Sequence, residues 1–448
     1  MKSYVPNTIS EREEMLKVVG VNTMDDLFSD VPEDMRLKAG LALHDGMSEI
    51  EVRREFLRLA KMNNTDLHIF RGAGSYNHYI PSCIPQLLSR SEFYTAYTPY
   101  QAEMSQGMLQ SIFEYQTFIC RLTGMDVSNA SVYDGATAAA EAVSMMFQIG
   151  RKKKKKVLLS GGLHHEIIEA VKTYAHCLDI EVVIVPLNEK GTTDVEKISE
   201  LADGASGIIV QNPNFYGCIE DMQAASDAIH AQGGIFTAYV NPMSLGALKR
   251  PCDYNADIAI GDAQPLGMPM SFGGPYAGFM ACKKDYTRMI PGRITGETRD
   301  SEGNRAYVLT LQAREQHIKR QLASSNICSN QMLCAITASI YLACMGPVGM
   351  REVAMQNIQK AHYLADGLTQ NKHAKLRYNA PFYNEFVIDT DKNPEVINAV
   401  LKSKGFMGGL PLGRVIPGDK TGMLWCATEM NSREEIDALI CAFEEAVK

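Results

Sequence analysis

Residues 256–284 read ADIAIGDAQPLGMPMSFGGPYAGFMACKK. Two short apolar runs, Asp257–Ile260 and Tyr276–Ala281, enclose a segment rich in Gly, Pro and Met. That is the pattern of strand, tight loop and strand. Gly273 and Gly274 carry no Cβ, so the expectation is a backbone that passes close to a neighbour there. No lysine occurs between Arg250 and Cys282. Loops of this kind, at the carboxyl ends of buried strands, are where α/β sheets place ligand-facing residues.

Upstream, the same rhythm repeats. Apolar runs begin near Val157, Val182, Ile208, Ile235 and Ile258, with helical stretches between them. Spacing of that order is that of βαβ units and predicts a mostly parallel, buried sheet with helices on both faces. The carboxyl-end candidates are His164 and His165, Asn212-Pro213-Asn214, Ala238 to Asn241, and the Gly261–Pro275 loop. The His pair reads as structural, since only Glu166 stands near it at ligand spacing; no metal site is expected. Val132-Tyr-Asp-Gly-Ala-Thr-Ala-Ala-Ala-Glu141 is a small-residue turn opening an Ala-rich helix around Gly135 and Thr137. Two readings stand: free N–H groups for a phosphate, or close packing of a slim helix on the sheet. Asp134 beside the turn weighs against an anion.

Between Phe70 and Tyr100 the chain is crowded with Gly, Pro and Tyr. A loop this aromatic is costly to expose, so Tyr94, Tyr97, Tyr100, Glu103 and Gln106 are expected to face a cavity or to be packed. Glu103–Leu122 then reads as a helix with Met104, Met108, Ile112, Tyr115 and Ile119 on its core side. Residues 1–69 form a helical arm. Ser10-Glu-Arg-Glu13 has the form of a capping box, and Ile50, Val52, Phe56, Leu57 and Leu59 make an apolar face too large for the arm to bury. Residues 70–325 are the large α/β domain. Within it, 293–321 is polar, includes Thr310 and Arg314, and suggests a subunit surface or an anion-binding rim. Residues 326–448 are a smaller α+β domain, entered by a helix over Ser324–Met345 that Gly346-Pro347 breaks. Its further helices are read near Arg351–Gln370 and Arg433–Val447.

Composition narrows the class. The chain has 448 residues, 46% hydrophobic and 21% charged, as in ordinary globular proteins. A net charge of −8 argues against general nucleic-acid binding. The basic run Arg151–Lys156 reads as a solvated loop. Eleven dispersed cysteines indicate reduced thiols and a cytoplasmic setting. The N-terminus reads as neither a secretory nor a mitochondrial leader. No run of about 18 apolar residues marks a membrane span.

Several ordered motifs carry a resemblance. They are Tyr94-Thr-Ala-Tyr-Thr-Pro-Tyr-Gln-Ala-Glu-Met-Ser-Gln-Gly107, Gly135-Ala-Thr-Ala-Ala-Ala-Glu-Ala142, Gly261-Asp-Ala-Gln-Pro-Leu-Gly267, Ser271-Phe-Gly-Gly-Pro275 and Arg314-Glu-Gln-His-Ile318. Across essentially its whole length the chain resembles the glycine cleavage system P-protein family. The likeness is to the N-terminal half of the long form, or subunit 1 of the two-gene form, of glycine dehydrogenase (decarboxylating). The resemblance implies the fold type I (aspartate aminotransferase-like) architecture of transferases dependent on pyridoxal phosphate (PLP). It also implies an oxidoreductase of glycine catabolism. With subunit 2 it decarboxylates glycine, releases carbon dioxide and passes the aminomethyl group to the lipoyl arm of H-protein. In that family the other half holds the Schiff-base lysine, in a His-Lys pair. Here the equivalent pair falls near Gln264-Pro265, and the position of the ring-nitrogen aspartate falls near Ala238. The resemblance thus implies PLP covalently held by the partner, no catalytic residue on this chain, and a heterotetramer-like complex in which this chain completes the partner's site.

Two other readings stay open. One is a self-sufficient PLP transferase using Lys249, Lys283 or Lys284. The other is a non-catalytic scaffold that keeps the fold.

Overall fold

The computed structural model describes residues 6–43, 46–95 and 97–448. The first five residues of the leader reading and Ala96 of the tyrosine motif lie outside them. The chain separates into two compact units, 1–65 and 66–448.

The first unit has two helices, α1 (Ile9–Val19) and α2 (Glu49–Ala60). The cap of α1 lies two residues earlier than the sequence suggested. Thr8 Oγ1 accepts from Glu11 N–H at 3.3 Å, and Glu11 Oε2 accepts from Thr8 N–H at 2.6 Å. Thr8 wins over Ser10 because its extended backbone lets side chain and N–H both reach the third helical residue. Ser48 and Glu51 repeat the device at α2. Neither helix has a buried residue.

The second unit opens with β1 (His68–Ile69) and α3 (Cys83–Leu88), then α4 (Gln106–Thr123). Its main sheet is built from β2 (Val127–Ser128), β3 (Lys156–Ser160), β4 (Glu181–Val185), β5 (Gly207–Asn212), β6 (Ile235–Val240), β7 (Ile258–Asp262) and β8 (Gly278–Cys282), in the order β2-β8-β7-β6-β5-β3-β4. The strands β3 to β7 pair in parallel, while β8 runs antiparallel to β7 and β2. Successive residues point to opposite faces. Leu158, Ile208, Val210 and Ala259 join one core with α4, α7 (Val195–Leu201), α8 (Met222–Ala231) and α10 (Met332–Thr369). Val157, Leu159, Ile209, Ile258 and Ile260 join the other with α5 (Gly135–Ile149) and α6 (His165–Cys177). Order reverses between β3 and β5, which opens a crevice beyond their carboxyl ends.

A hairpin, β9 (Ile294–Arg299) and β10 (Arg305–Thr310), follows and leads to the short α9 (Gln316–Lys319). The long α10 starts later than expected, at Met332, because the chain before it is pinned by Asn330 Nδ2 to Ala130 O at 2.9 Å. The break at Gly346-Pro347 is there: Gly346 is non-helical, at φ 60°. Of the described helices, α10 alone has the length and apolarity to cross a membrane. Here, though, Ala335, Ala338 and Tyr341 on it belong to the main core. Beyond it, β11 (Ala374–Leu376), β12 (Glu385–Thr390), β14 (Leu410–Pro411) and β15 (Gly422–Cys426) form an antiparallel sheet under α11 (Pro394–Ser403) and α12 (Arg433–Val447). The two-residue β13 (Phe406–Met407) pairs with β1.

Candidate functional site

A cavity of about 720 Å³ lies beyond the carboxyl ends of the main sheet. Gln211 near the end of β5 and Pro213 just after it, Tyr239 and Asn241 at β6, and Asp262 at the end of β7 form one wall. Gly72–Tyr76, Asn384 and Glu385 form another, with Tyr133 to Ala136 at the start of α5 and Pro265 to Tyr276 around the rim.

The helix start decides what the cavity accepts. Gly135 N–H donates to Asp262 Oδ2 at 2.9 Å, and Thr137 N–H donates to Asp134 Oδ1 at 2.7 Å. Two carboxylates therefore occupy the N-terminal end of α5, where a phosphate reading needs open donors. Asp262 Oδ1 also accepts from Gln264 N–H at 2.9 Å. Burial pushes its carboxyl up to about 7, against the pull of those two N–H groups. Gly135 has no room for a side chain: a Cβ would meet Tyr239 Oη at 2.2 Å. Close packing is the reading the fold supports.

Gln264 does not face the cavity as a ligand. It is 1% exposed. Its Oε1 accepts from Tyr76 N–H at 2.9 Å, and its Nε2 donates to Tyr76 O at 2.9 Å and Met268 O at 2.8 Å. Pro265 beside it lines the cavity. Across the space, Glu385 accepts from Ala73 N–H at 2.6 Å and from the Tyr76 hydroxyl at 2.7 Å. Burial drives its carboxyl up to about 7. Glu385 and Asp262 escaped the sequence reading. The signal was an acidic residue in or ending an otherwise apolar strand.

Other expected residues are bonded to backbone, His164 among the residues that line the cavity. His164 Nδ1 accepts from Glu166 N–H at 3.2 Å, which leaves Nε2 to donate to Ala73 O at 3.0 Å. Burial, and then His165 stacked at 4.4 Å, lower its pKa and keep it neutral. Asn212 Oδ1 accepts from Glu220 N–H at 3.1 Å. Arg314 donates to the carbonyls of Ile290 and Gly292, so its guanidinium braces backbone and offers no open anion rim. Thr310 ends β10 opposite Ile294. Gln106 Nε2 donates to Tyr307 O and its Oε1 accepts from Tyr307 N–H, both at 2.8 Å.

The rim loop corrects one expectation. Ser271, Phe272, Gly273 and Gly274 all have positive φ, from 44° to 136°. A Cβ on Gly273 would meet nothing within 4 Å. The glycines are there for left-handed backbone and not for close approach. Phe272, at the rim, is 99% exposed.

The tyrosine motif also departs from expectation. Tyr94, Tyr97, Tyr100 and Glu103 lie on the surface of this chain, outside the lining of the cavity. Met104 is exposed too, whereas Met108, Ile112, Tyr115 and Ile119 are buried as read. The tyrosines sit on backbone anchored by buried Thr98. Its hydroxyl accepts from Arg293 Nη1 at 3.2 Å, and the Tyr100 ring lies 5.4 Å from the Arg293 guanidinium carbon.

These residues do not fit PLP. No lysine is among the described residues lining the cavity. Lys283 lies at the opposite, amino end of β7, donating to Asp257 Oδ1 at 2.7 Å. The lining carries Asp134, Glu166, Asp262 and Glu385. Its Arg71 is spent on the carbonyls of Gly408 and Gly409.

The sequence profile of the glycine cleavage system P-protein family matches residues 2–443. A probable glycine dehydrogenase (decarboxylating) subunit 1 of Desulfitobacterium hafniense is 46% identical over 446 residues, covering 99% of each chain. Among solved structures, an inhibitor-bound glycine decarboxylase (P-protein) of the glycine cleavage system superposes with a TM-score of 0.90 at 41% identity. That match covers 99% of this chain and 100% of the other. A sphingosine-1-phosphate lyase of Burkholderia pseudomallei reaches 0.66 at 14% identity, covering 91% of this chain and 93% of the other, a likeness of fold alone. The architecture is that of PLP-dependent transferases of fold type I. On the full-length match and the close relatives together, the chain belongs to the glycine cleavage system P-protein family.

Proposed function

We propose that this chain is the lysine-free first subunit of a two-chain glycine dehydrogenase (decarboxylating). In this reading its partner is a homologous subunit 2 that holds PLP on its own lysine. The complex decarboxylates glycine and hands the aminomethyl group to lipoylated H-protein in the cytoplasm. The observation that carries the reading is the chemistry of the cavity wall. Gln264 is locked onto Tyr76, and Asp134 and Asp262 fill the helix end that a phosphate needs. The chain therefore contributes shape and surface, and no covalent step.

Two surfaces support the partner role. The arm presents Ile9, Val18, Val19, Ile50, Phe56 and Leu57, each more than half exposed. Leaving that much apolar surface in water is unfavourable by ~25 cal/mol per Å². In the other unit, Tyr94, Tyr97 and Tyr100 are exposed large aromatics of the type that anchors interfaces. In this reading the arm, expected over 1–69 and set off in the fold as 1–65, serves assembly, and the large domain expected over 70–325, rather than the small one over 326–448, serves the partner's pocket.

Sedimentation of the chain mixed with a subunit 2 that carries the His-Lys pair tests the assignment. One species larger than either chain is expected. Two separately sedimenting species, at concentrations where glycine decarboxylation is measured, overturn it.

A further inference from the structure

Cys83 opens α3 and Cys344 lies on α10, two residues before the kink at Gly346. They stand 261 positions apart in sequence, yet their sulfurs are 3.3 Å apart. Both are exposed free thiols. Among the described residues no other pair of cysteine sulfurs is in such contact. Cys334, near the start of α10, reaches Pro275 O instead.

The surroundings hold this pair in place. Ile84, next to Cys83, and Tyr341, one turn before Cys344, belong to one buried core. Gly267 fits between them: a Cβ there would meet Tyr341 Cβ at 3.0 Å and Ile84 Cδ1 at 3.1 Å. Three elements thus converge under the two sulfurs: α3, α10 and the Gln264–Met268 loop that grips Tyr76 at the cavity wall. To form a disulfide the sulfurs would close from 3.3 Å to about 2.05 Å, with the side chains turning to bring the Cβ–S–S–Cβ dihedral near 90°.

We propose that Cys83 and Cys344 form a reversible dithiol–disulfide site that ties α3 to α10. The oxidant is a low-molecular-weight disulfide. One cysteine thiolate attacks a sulfur of that disulfide, forming a mixed disulfide and expelling one small thiolate. The second cysteine thiolate attacks the protein sulfur of the mixed disulfide and expels the other small thiolate. The two cysteine protons go to solvent or to the small thiolates. The protein dithiol loses two electrons and the small disulfide gains them. In the oxidised form the loop that carries Gly72–Tyr76 is anchored covalently at its α3 end, and a dithiol reverses the bond. In a reducing compartment such a surface disulfide forms transiently, as a response to redox poise.

The test uses the full chain in glutathione buffers of rising disulfide content, quenched in acid, alkylated, digested without reduction and mapped by mass spectrometry. A cross-linked peptide pairing Cys83 with Cys344 is expected, with two of the eleven thiols lost and both restored by dithiothreitol. On a non-reducing gel the oxidised chain migrates faster, because the cross-link closes a loop spanning 261 positions. Cys83→Ser and Cys344→Ser each abolish the cross-link and leave the surviving thiol carrying glutathione. The primary readout is on the wild-type chain, so it does not depend on either variant folding. Glutathione adducts on both cysteines without a cross-link, a cross-link from either to a third cysteine, or both thiols unchanged in fully oxidised buffer overturns the proposal.

Discussion

The Gln264 carboxamide reads the backbone of Tyr76 as a neighbouring strand would, accepting from its N–H and donating to its C=O, each at 2.9 Å. The same device recurs in Gln116, which pairs with the N–H and C=O of Thr295, both at 2.9 Å. Gln106 does likewise with Tyr307. Each carboxamide satisfies a backbone N–H and C=O, buried at Tyr76 and Thr295 and part-buried at Tyr307. At Gln264 this welds the loop after β7 to the opposite wall of the cavity.

A lysine placed at position 264 is therefore expected not to serve as a Schiff-base residue. Gln264→Lys supplies donors only, leaving the Tyr76 N–H unpaired and placing a buried charge beside Asp262. A loss of roughly 3–5 kcal/mol in stability is expected, read by urea unfolding. Incubation with PLP and borohydride should leave position 264 unlabelled. Stoichiometric label there, on a chain of unchanged stability, contradicts the clamp.

Glu385 and Asp262 should respond differently to loss of charge. Burial raises both carboxyls to about 7, against roughly 4 in an unfolded chain. Between those values the native state holds protons that the unfolded chain has released. The stability tied to the protonated forms is thus complete below about pH 4 and lost as pH rises through about 7. In Glu385→Gln the Tyr76 hydroxyl turns and accepts where it donated. That variant should melt within about 1 kcal/mol of wild type at pH 6 and above it at pH 8. In Asp262→Asn both oxygens face backbone N–H groups that cannot turn. One of them meets an NH₂, at a cost of about 1–3 kcal/mol. Thermal melts at both pH values distinguish the two.

Cofactor placement is checked by reducing the assembled complex with borohydride. Pyridoxyl label is expected on a lysine of subunit 2 and none on this chain, and the isolated chain should not exchange carbon dioxide with glycine. A labelled peptide containing Lys249, Lys283 or Lys284 would promote the self-sufficient transferase instead.

Tyr97 separates a functional surface from a structural one. Its side chain is 67% exposed, so Tyr97→Phe should leave the melting temperature nearly unchanged. If the hydroxyl meets the partner's pocket or the lipoyl arm, turnover of the complex falls about fivefold, the worth of one hydrogen bond of about 1 kcal/mol. Unchanged turnover at saturating partner removes Tyr97 from the site.

The sequence by itself determined the sheet, because strand and helix periods are local. The apolar runs beginning near Val157, Val182, Ile208, Ile235 and Ile258 each became a parallel strand, and the helix break at Gly346-Pro347 follows from backbone chemistry. That no lysine stands between Arg250 and Cys282 is equally plain in the sequence. The cavity's character was not. Asp262 meets Gly135 across 127 positions, Gln264 meets Tyr76 across 188, and Glu385 meets Tyr76 across 309. No local period encodes such partners. Only the packed chain, bringing carboxylates onto a helix end and a carboxamide onto a distant backbone, turned a phosphate-shaped turn into a closed one.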